Sequence, residues 1–142
     1  MKQAVGAGDP LFVTLLETAQ VLREQLEEEL RSVGLSPAKL DALNQLVRAG
    51  EPMPLSALAE GQPCVPSNMT TLVDRLENEG LVSRVTDPAD RCRVRAALTP
   101  LGAERAAVGA RATARVHEEF AATLPSAERT ALRRILSTLR PR

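Results

Sequence analysis

The sequence predicts one mainly α-helical domain that carries a single small β-hairpin. Its length of 142 residues suits one domain, which at that size buries roughly 70% of its unfolded surface without needing disulfides. Apolar residues recur at helical spacing through most of the chain, and Pro and Gly stand where helices would start and stop. The alternation of apolar and polar residues that is typical of strands is confined to residues 81–98.

The first 60 residues predict three helices. A capping residue followed by proline is a helix start signal, and a glycine after an apolar stripe is a stop signal. The run PLSALAEG predicts a short third helix over about residues 55–60. For the two longer helices before it, the start pairs are Asp9-Pro10 and Ser36-Pro37, and the stops are Gly34 and Gly50.

A fourth helix is expected after Cys64 and should end at Gly80. Two strands, LVSRVT and CRVRAAL, follow it and are joined by the turn DPAD. Alternation along the second strand places Arg93 and Arg95 on the face opposite Cys92. The apolar side of the fourth helix consists of Val65, Met69, Leu72, Val73 and Leu76.

Two helices complete the chain. Thr99 and Pro100 form another cap and first-position pair, which opens an Ala-rich helix that reaches about Thr123. Ser126 starts the last helix. Its apolar face consists of Leu132, Ile135, Leu136 and Leu139.

A short helix followed closely by a longer amphipathic one is typical of a helix-turn-helix, and the hairpin after it then forms a wing. On a helical wheel, small polar side chains lie opposite the apolar side of the fourth helix. Such donors and acceptors can reach base edges and phosphates in a major groove. They are Ser67, Asn68, Thr70 and Thr71, with Arg75 one turn further along.

The charge distribution permits a DNA partner although 18 basic residues balance 18 acidic ones. Residues 1–63 hold 5 Lys and Arg against 9 Asp and Glu, whereas residues 101–142 hold 8 against 4. Binding depends on where charge lies rather than on its total. Because Phe12 and Phe120 are the only aromatic residues, platforms that stack single-stranded bases are not expected, and the nucleic acid should be duplex DNA.

The run LSALAEG…VPSNMTTLVDRLENEGLVSRVTDPADRCRVRAALTPLGAE, from Leu55 to Glu104, resembles the winged helix-turn-helix core of the MarR family of bacterial transcription regulators. The segments TTLVDRLENEGLVSR, DPADR and LTPLG are highly specific for that family. Outside this run the resemblance rests on the order and length of the helices. The resemblance implies a homodimeric, sequence-specific binder of double-stranded DNA, most simply a repressor acting at a pseudo-palindromic operator.

The resemblance also divides the single domain 1–142. Residues 9–33 and 100–142 would be dimerisation helices, and residues 35–99 would form the DNA-binding lobe. A small-molecule effector would bind between the two. Leu, Val and Phe12 are expected there, so the effector should be apolar or aromatic.

For single residues, the resemblance implies that Ser67, Asn68, Thr70, Thr71 and Arg75 face the major groove. Arg91 would enter the minor groove from the tip of the wing, and Asp90 would brace the wing through an arginine. The chain departs from the family at Cys92, where a second arginine is usual; Arg93 can take its place, and Cys92 would pack inward beside Val94.

The two cysteines allow a second hypothesis, in which the protein senses thiol oxidation. A thiol at a helix N-terminus tends towards thiolate, so oxidation of Cys64, alone or with Cys92, could move the recognition helix and release DNA. The simpler reading is that Cys64 is a small buried residue. His117 stands beside Glu118 and Glu119, which is not a metal signature; it is expected at the surface or at an interface.

No catalytic or cofactor motif occurs in the sequence, so an enzyme is not expected. Neither a signal peptide nor a membrane span is evident, which favours a cytoplasmic protein. The remaining alternative is a winged-helix module that binds proteins and little DNA, because residues 64–100 hold 5 basic and 5 acidic residues.

Overall fold

A computed structural model of the chain describes residues 10–60 and 66–140, with the side chains of Pro66 and Ser67 excepted. All six predicted helices are present in this part of the chain, and both predicted strands are there with shorter bounds. In chain order the elements are α1 (Pro10–Ser32), α2 (Pro37–Ala49), β1 (Met53–Pro54), α3 (Leu55–Glu60), α4 (Pro66–Asn78), β2 (Val82–Thr86), β3 (Val94–Leu98), α5 (Pro100–Ala122) and α6 (Ser126–Leu139).

Local capping explains where the helices begin and end. The Ser36 hydroxyl accepts the Lys39 N–H at 3.3 Å at the start of α2. The Thr99 hydroxyl accepts the Gly102 N–H at 3.0 Å at the start of α5. Gly50, with φ 67°, closes α2 in the left-handed conformation that glycine adopts without strain. The predicted cap Asp9 lies outside the described residues.

The three strands form an antiparallel sheet in the order β1-β3-β2. Val82 pairs with Leu98 at one end of the hairpin, and Thr86 pairs with Val94 at the other. The sequence did not predict β1, because two residues show no alternation. Its Pro54 cannot donate a ladder hydrogen bond, which is compatible with the edge position that β1 occupies.

The wing loop is longer than the sequence predicted, because β3 begins at Val94 rather than at Cys92. Cys92 lies in the turn and is exposed. The expectation that its side chain packs inward beside Val94 is therefore wrong, and Val94 itself is 41% exposed. Arg91, Cys92 and Arg93 together form the exposed end of the wing.

One hydrophobic cluster connects α1 to α5 and the sheet and fixes the position of α4. Met69, Val73 and Leu76 bury one face of α4, as the spacing predicted. Leu58 of α3 is also buried and belongs to the same cluster. The predicted Val65 lies outside the described residues. The rest of the buried cluster consists of Leu30, Leu35, Leu40, Ala42, Leu43, Leu46, Leu81, Val82, Ala96, Ala106 and Ala112.

Two helices leave apolar side chains in contact with solvent. No residue of α6 is buried, and the N-terminal half of α1 is exposed throughout. None of the helices in the described ranges is long and apolar enough to cross a membrane. The exposed large apolar side chains of these two helices include Phe12, Leu15, Leu16, Ile135, Leu136 and Leu139.

Candidate nucleic-acid interface

Helix α4 presents a polar face away from the core. Asn68, Thr70, Thr71 and Arg75 are exposed, as the helical wheel predicted. The side chain of Ser67 lies outside the described part of the chain. This face combines hydroxyl and amide groups with one guanidinium, the groups that contact base edges and phosphates in a major groove.

An acid–arginine pair fixes the base of the wing. Asp87 is 4% exposed, and its carboxylate accepts the Ala89 N–H at 2.9 Å. The same carboxylate accepts from Arg95 at 3.1–3.2 Å through Nη2 and Nε. The Ala89 hydrogen bond and Arg95 lower the pKa of Asp87 against the opposing effect of burial. The carboxylate therefore stays ionised, and the loop after it is held against the sheet.

Asp90 has a different role from the one expected of it. Its carboxylate accepts the backbone N–H of Cys92 at 2.9 Å, and within the described ranges it forms no ion pair. Asp90 thus shapes the turn, while Asp87 and Arg95 supply the brace. Asp87 and Arg95 lie eight residues apart and meet only because the hairpin folds back, so no local sequence pattern indicates this pair.

Arg84 of β2 connects the wing to α4. Its guanidinium forms an ion pair with Asp74 and a second one with Glu77 at 3.0 Å. The backbone N–H of Arg84 also donates to Glu77, at 3.0 Å. The sequence indicated only that Asp74 and Glu77 are neighbours on one helix face; the structure shows that they share a cation from the next strand.

These ion pairs involve most of the acidic residues of the neutral segment 64–100 but only some of its basic residues. Three of its five acidic residues bind Arg84 or Arg95, and Glu79 binds Lys39 at 2.7 Å. The cations of this segment that form no ion pair within the described residues are exposed. They are Arg75 on α4 and Arg91 and Arg93 on the wing. A segment of zero net charge therefore presents free guanidinium groups to its surroundings.

A groove runs between α1, α2 and α5. Two adjoining cavities of about 410 and about 380 Å³ share Leu26, Pro37 and His117. Phe120 lines the groove at its α5 side. Phe12, which the sequence placed there, does not line either cavity. The other apolar lining residues are Leu22, Leu30, Leu40, Ala110, Ala114 and Val116.

The deeper cavity of this groove contains polar groups. The Thr113 hydroxyl is buried and has no hydrogen-bond partner among the described residues. Asp41 and Asn44 line the same cavity. Burial raises the pKa of Asp41, while Arg48 opposes the shift. Thr113, Asp41 and Asn44 form the polar part of this cavity, and a buried hydroxyl without a partner is costly.

The structure describes Cys92 and His117 but not Cys64. Cys64 lies outside the described residues, whereas Cys92 is a free, exposed thiol between two arginines of the wing. His117 is exposed at the groove. Within residues 10–60 and 66–140, no group of three or more His, Cys, Asp and Glu side chains is placed to hold a metal ion.

Comparison with known proteins agrees with this arrangement. Residues 35–94 match the model of the MarR family. The chain is 29% identical over 102 residues to the transcriptional repressor MdtR of Bacillus subtilis, covering 72% of this chain and 65% of that protein. It is 33% identical over 106 residues to a putative regulatory protein for the hcr operon of Thauera aromatica, covering 75% and 63%. The matched stretch thus spans just under two thirds of either relative.

Solved structures show the same fold over nearly the whole chain. A mutant MarR from E. coli complexed with operator DNA superposes with a TM-score of 0.79 at 23% identity, covering 94% of this chain and 95% of that one. The organohalide-sensing regulator RdhR-CbdbA1625, bound to 2,4-dichlorophenol, gives 0.81 at 22% identity, covering 97% and 88%. The match of residues 35–94 to the family model identifies this segment as MarR-type, and the solved structures show that the chain around it has the same fold.

Proposed function

We propose that this protein is a dimeric, sequence-specific double-stranded DNA-binding transcription regulator of the cytoplasm, a repressor that a small molecule releases from its operator. The proposal rests on one observation beside α4: the carboxylates there are held in ion pairs, and exposed arginines are not. Ion pairs with Arg84 and Arg95 engage Asp74, Glu77 and Asp87, whereas three exposed arginines of the same segment remain available to phosphates. The operator complex of the MarR structure supports duplex DNA as the partner.

The exposed apolar side chains indicate which segments would bind DNA and which would form the dimer. Residues 35–99 would form the DNA-binding lobe, and residues 9–33 and 100–142 would form the dimerisation helices. A monomer would leave the apolar side chains of α1 and α6 in water, and their burial against a second copy would remove that cost. In the dimer, two α4 helices would enter major grooves about one DNA turn, roughly 34 Å, apart.

In this arrangement the four small polar residues of the recognition helix and its one arginine would make different contacts. Ser67, Asn68, Thr70 and Thr71 would contact base edges and nearby phosphates, and Arg75 would contact a base or a phosphate one turn further along. Arg91 would reach the minor groove from the wing tip, with Arg93 on the adjacent phosphates. Asp90 would keep the tip in shape through its bond to the backbone of Cys92.

Replacement of Arg91 by alanine should weaken operator binding and reduce its dependence on salt. Removal of one cation from the DNA surface, which then releases one counterion fewer, lowers the slope of log affinity against log salt by about 0.9. Titrations of a labelled operator at several salt concentrations measure both quantities. Arg115→Ala, at an exposed position on α5, removes the same charge away from the wing and should leave the slope unchanged. An unaltered slope and affinity for Arg91→Ala would show that Arg91 does not contact DNA.

The groove between α1, α2 and α5 is the proposed effector site. Its walls are mostly apolar, and Thr113 lies with Asp41 and Asn44 at its polar end. A small aromatic molecule with one hydroxyl group fits both features. The dichlorophenol-bound relative of the same fold supports this class of ligand. Since the groove joins helices of the proposed dimer interface to α2 of the DNA-binding lobe, a ligand there can change the spacing of the two α4 helices.

Substitution of Thr113 by valine should weaken binding of 2,4-dichlorophenol by about fivefold, because one neutral hydrogen bond contributes roughly 1 kcal/mol. The folded protein should be no less stable, since the hydroxyl has no partner to lose. Calorimetric titration of both proteins with this phenol gives the comparison. Equal affinities would remove Thr113 from the site, and absence of binding to either protein would reject the phenol class.

Two other functions remain as alternatives. In a thiol-sensing regulator, oxidation of Cys64 or Cys92 would release DNA; the exposed position of Cys92 among the wing arginines is compatible with such a role. In a protein-interaction module, the neutral helix–wing segment would bind a protein instead of DNA. Selection of random duplexes under reducing and oxidising conditions separates all three.

A further inference from the structure

The face that α4 presents to the proposed DNA contains two carboxylates. Asp74 shares the exposed polar side of the helix with Thr71, and Glu77 lies one turn along from Asp74. The side chains of Asp74 and Glu77 are 52% and 39% exposed. Charges so placed would repel the phosphates that Arg75, Arg91 and Arg93 attract, and dissolved salt screens this repulsion effectively only beyond about 8–10 Å at ordinary ionic strength.

Arg84 is the cation that meets both carboxylates. Its Nη2 pairs with Asp74 and its Nη1 with Glu77, so one guanidinium partly compensates two negative charges. The side chain of Arg84 is 29% exposed, which makes it less accessible than the arginines at the wing tip. Its donors point at α4, and no described residue competes with Asp74 and Glu77 for them.

The position of α4 against the sheet does not depend on this guanidinium. Leu76, Leu81 and Val82 are buried across the junction, and Arg84 is paired through its backbone with Ala96 of β3. The backbone N–H of Arg84, which donates to Glu77, survives any substitution of the side chain. Because exposed ion pairs contribute little to stability, removal of the guanidinium should change charge far more than geometry.

We infer that Arg84 masks the two carboxylates of the recognition helix, so that α4 can approach the phosphates of DNA, while Arg84 itself does not touch DNA. This inference rests on the proposed function. It gives Arg84 an electrostatic role distinct from that of the arginines that contact phosphate. It also predicts that the loss of Arg84 can be reversed by removing the charges that it masks.

The test compares Arg84→Gln with the triple variant Arg84→Gln, Asp74→Asn, Glu77→Gln. In the triple variant the amide oxygen of the new side chain at position 77 could still accept the backbone N–H of residue 84. Affinities are measured for the selected operator and for a scrambled duplex, at low and at high salt. Arg84→Gln should weaken binding to both duplexes about tenfold at low salt, and by less at high salt. The triple variant should return the affinity for the scrambled duplex to within about threefold of the original.

Arg115→Gln is the matched control, because Arg115 forms a surface ion pair with Glu29 at 3.7 Å away from α4 and the wing. It should bind both duplexes as the unaltered protein does. An affinity unchanged in Arg84→Gln would overturn the inference, and so would a triple variant as weak as Arg84→Gln, since Arg84 would then contact DNA or orient α4. Absence of operator binding by the unaltered protein would instead overturn the proposed function together with this inference.

A second variant decides the matter if Arg84→Gln does not fold. Asp74→Asn, Glu77→Gln keeps Arg84 and removes only the charges that it masks. Masking predicts that this variant binds the scrambled duplex at least as tightly as the unaltered protein. Weaker binding would show that the ion pairs themselves orient α4, which contradicts the inference.

Discussion

Alanine at Gly102 is expected to destabilise the protein by about 2–3 kcal/mol, towards the upper end of the range for overpacking. A Cβ there would overlap the backbone carbonyl oxygen of Leu81 and would lie 2.8 Å from Leu98 Cδ1. The carbonyl of Leu81 is itself fixed, because it accepts the N–H of Thr99 at 3.2 Å. Alanine gains about 1 kcal/mol in helix propensity over glycine, and the clash should outweigh this gain.

Gly109→Ala is the control for this prediction, since Gly109 lies on the same helix. Its Cβ would meet only the ends of Leu40 and Leu35 side chains, at 2.6 and 2.8 Å, which can turn aside. Urea unfolding of both variants at one protein concentration measures the difference. If Gly102→Ala were as stable as the unaltered protein, the close contact of α5 with the end of the α4–β2 connection would be wrong.

Aspartate at Leu136 is expected to dissociate the proposed dimer and to lower operator affinity by at least about 100-fold, because two linked half-site contacts would become independent. Leu136 belongs to the exposed apolar face of α6 and is 42% exposed in the single chain. A carboxylate buried there by a second copy would lose its hydration without a partner. Analytical ultracentrifugation and operator titration measure the two effects.

Thr130→Asp provides the matched control for this prediction. Thr130 lies on the opposite side of α6, exposed, with its hydroxyl bonded to the Ser126 carbonyl. The control should remain dimeric and bind the operator normally. A dimeric Leu136→Asp with undiminished affinity would place the interface elsewhere.

The helices could be predicted from the sequence because their caps and their apolar periodicity depend on residues close together in the chain. Ser36 and Thr99 cap their helices through contacts three residues along the chain, so short sequence motifs suffice to locate α2 and α5. The exposed polar face of α4 was likewise predictable, because helical periodicity alone determines which side faces the core.

Contacts between distant segments explain what could not be predicted. The brace was assigned to Asp90, whereas the structure forms it from Asp87 and Arg95 across the hairpin. Strand β1 exists only because β3 lies beside it. Gly102 has no distinctive local pattern, and its close approach to Leu81 depends on how α5 returns to the sheet.

The central claim, that a dimer of this chain reads a DNA sequence, is tested most directly by selection of random duplex DNA with the purified protein, with thiols reduced and oxidised in parallel. We predict enrichment of a pseudo-palindrome whose half-sites lie about one helical turn, roughly 10 base pairs, apart. Enrichment lost only on oxidation and restored by reductant would identify a thiol sensor. A folded dimer that enriches no sequence under either condition would contradict the claim and favour a protein-interaction module.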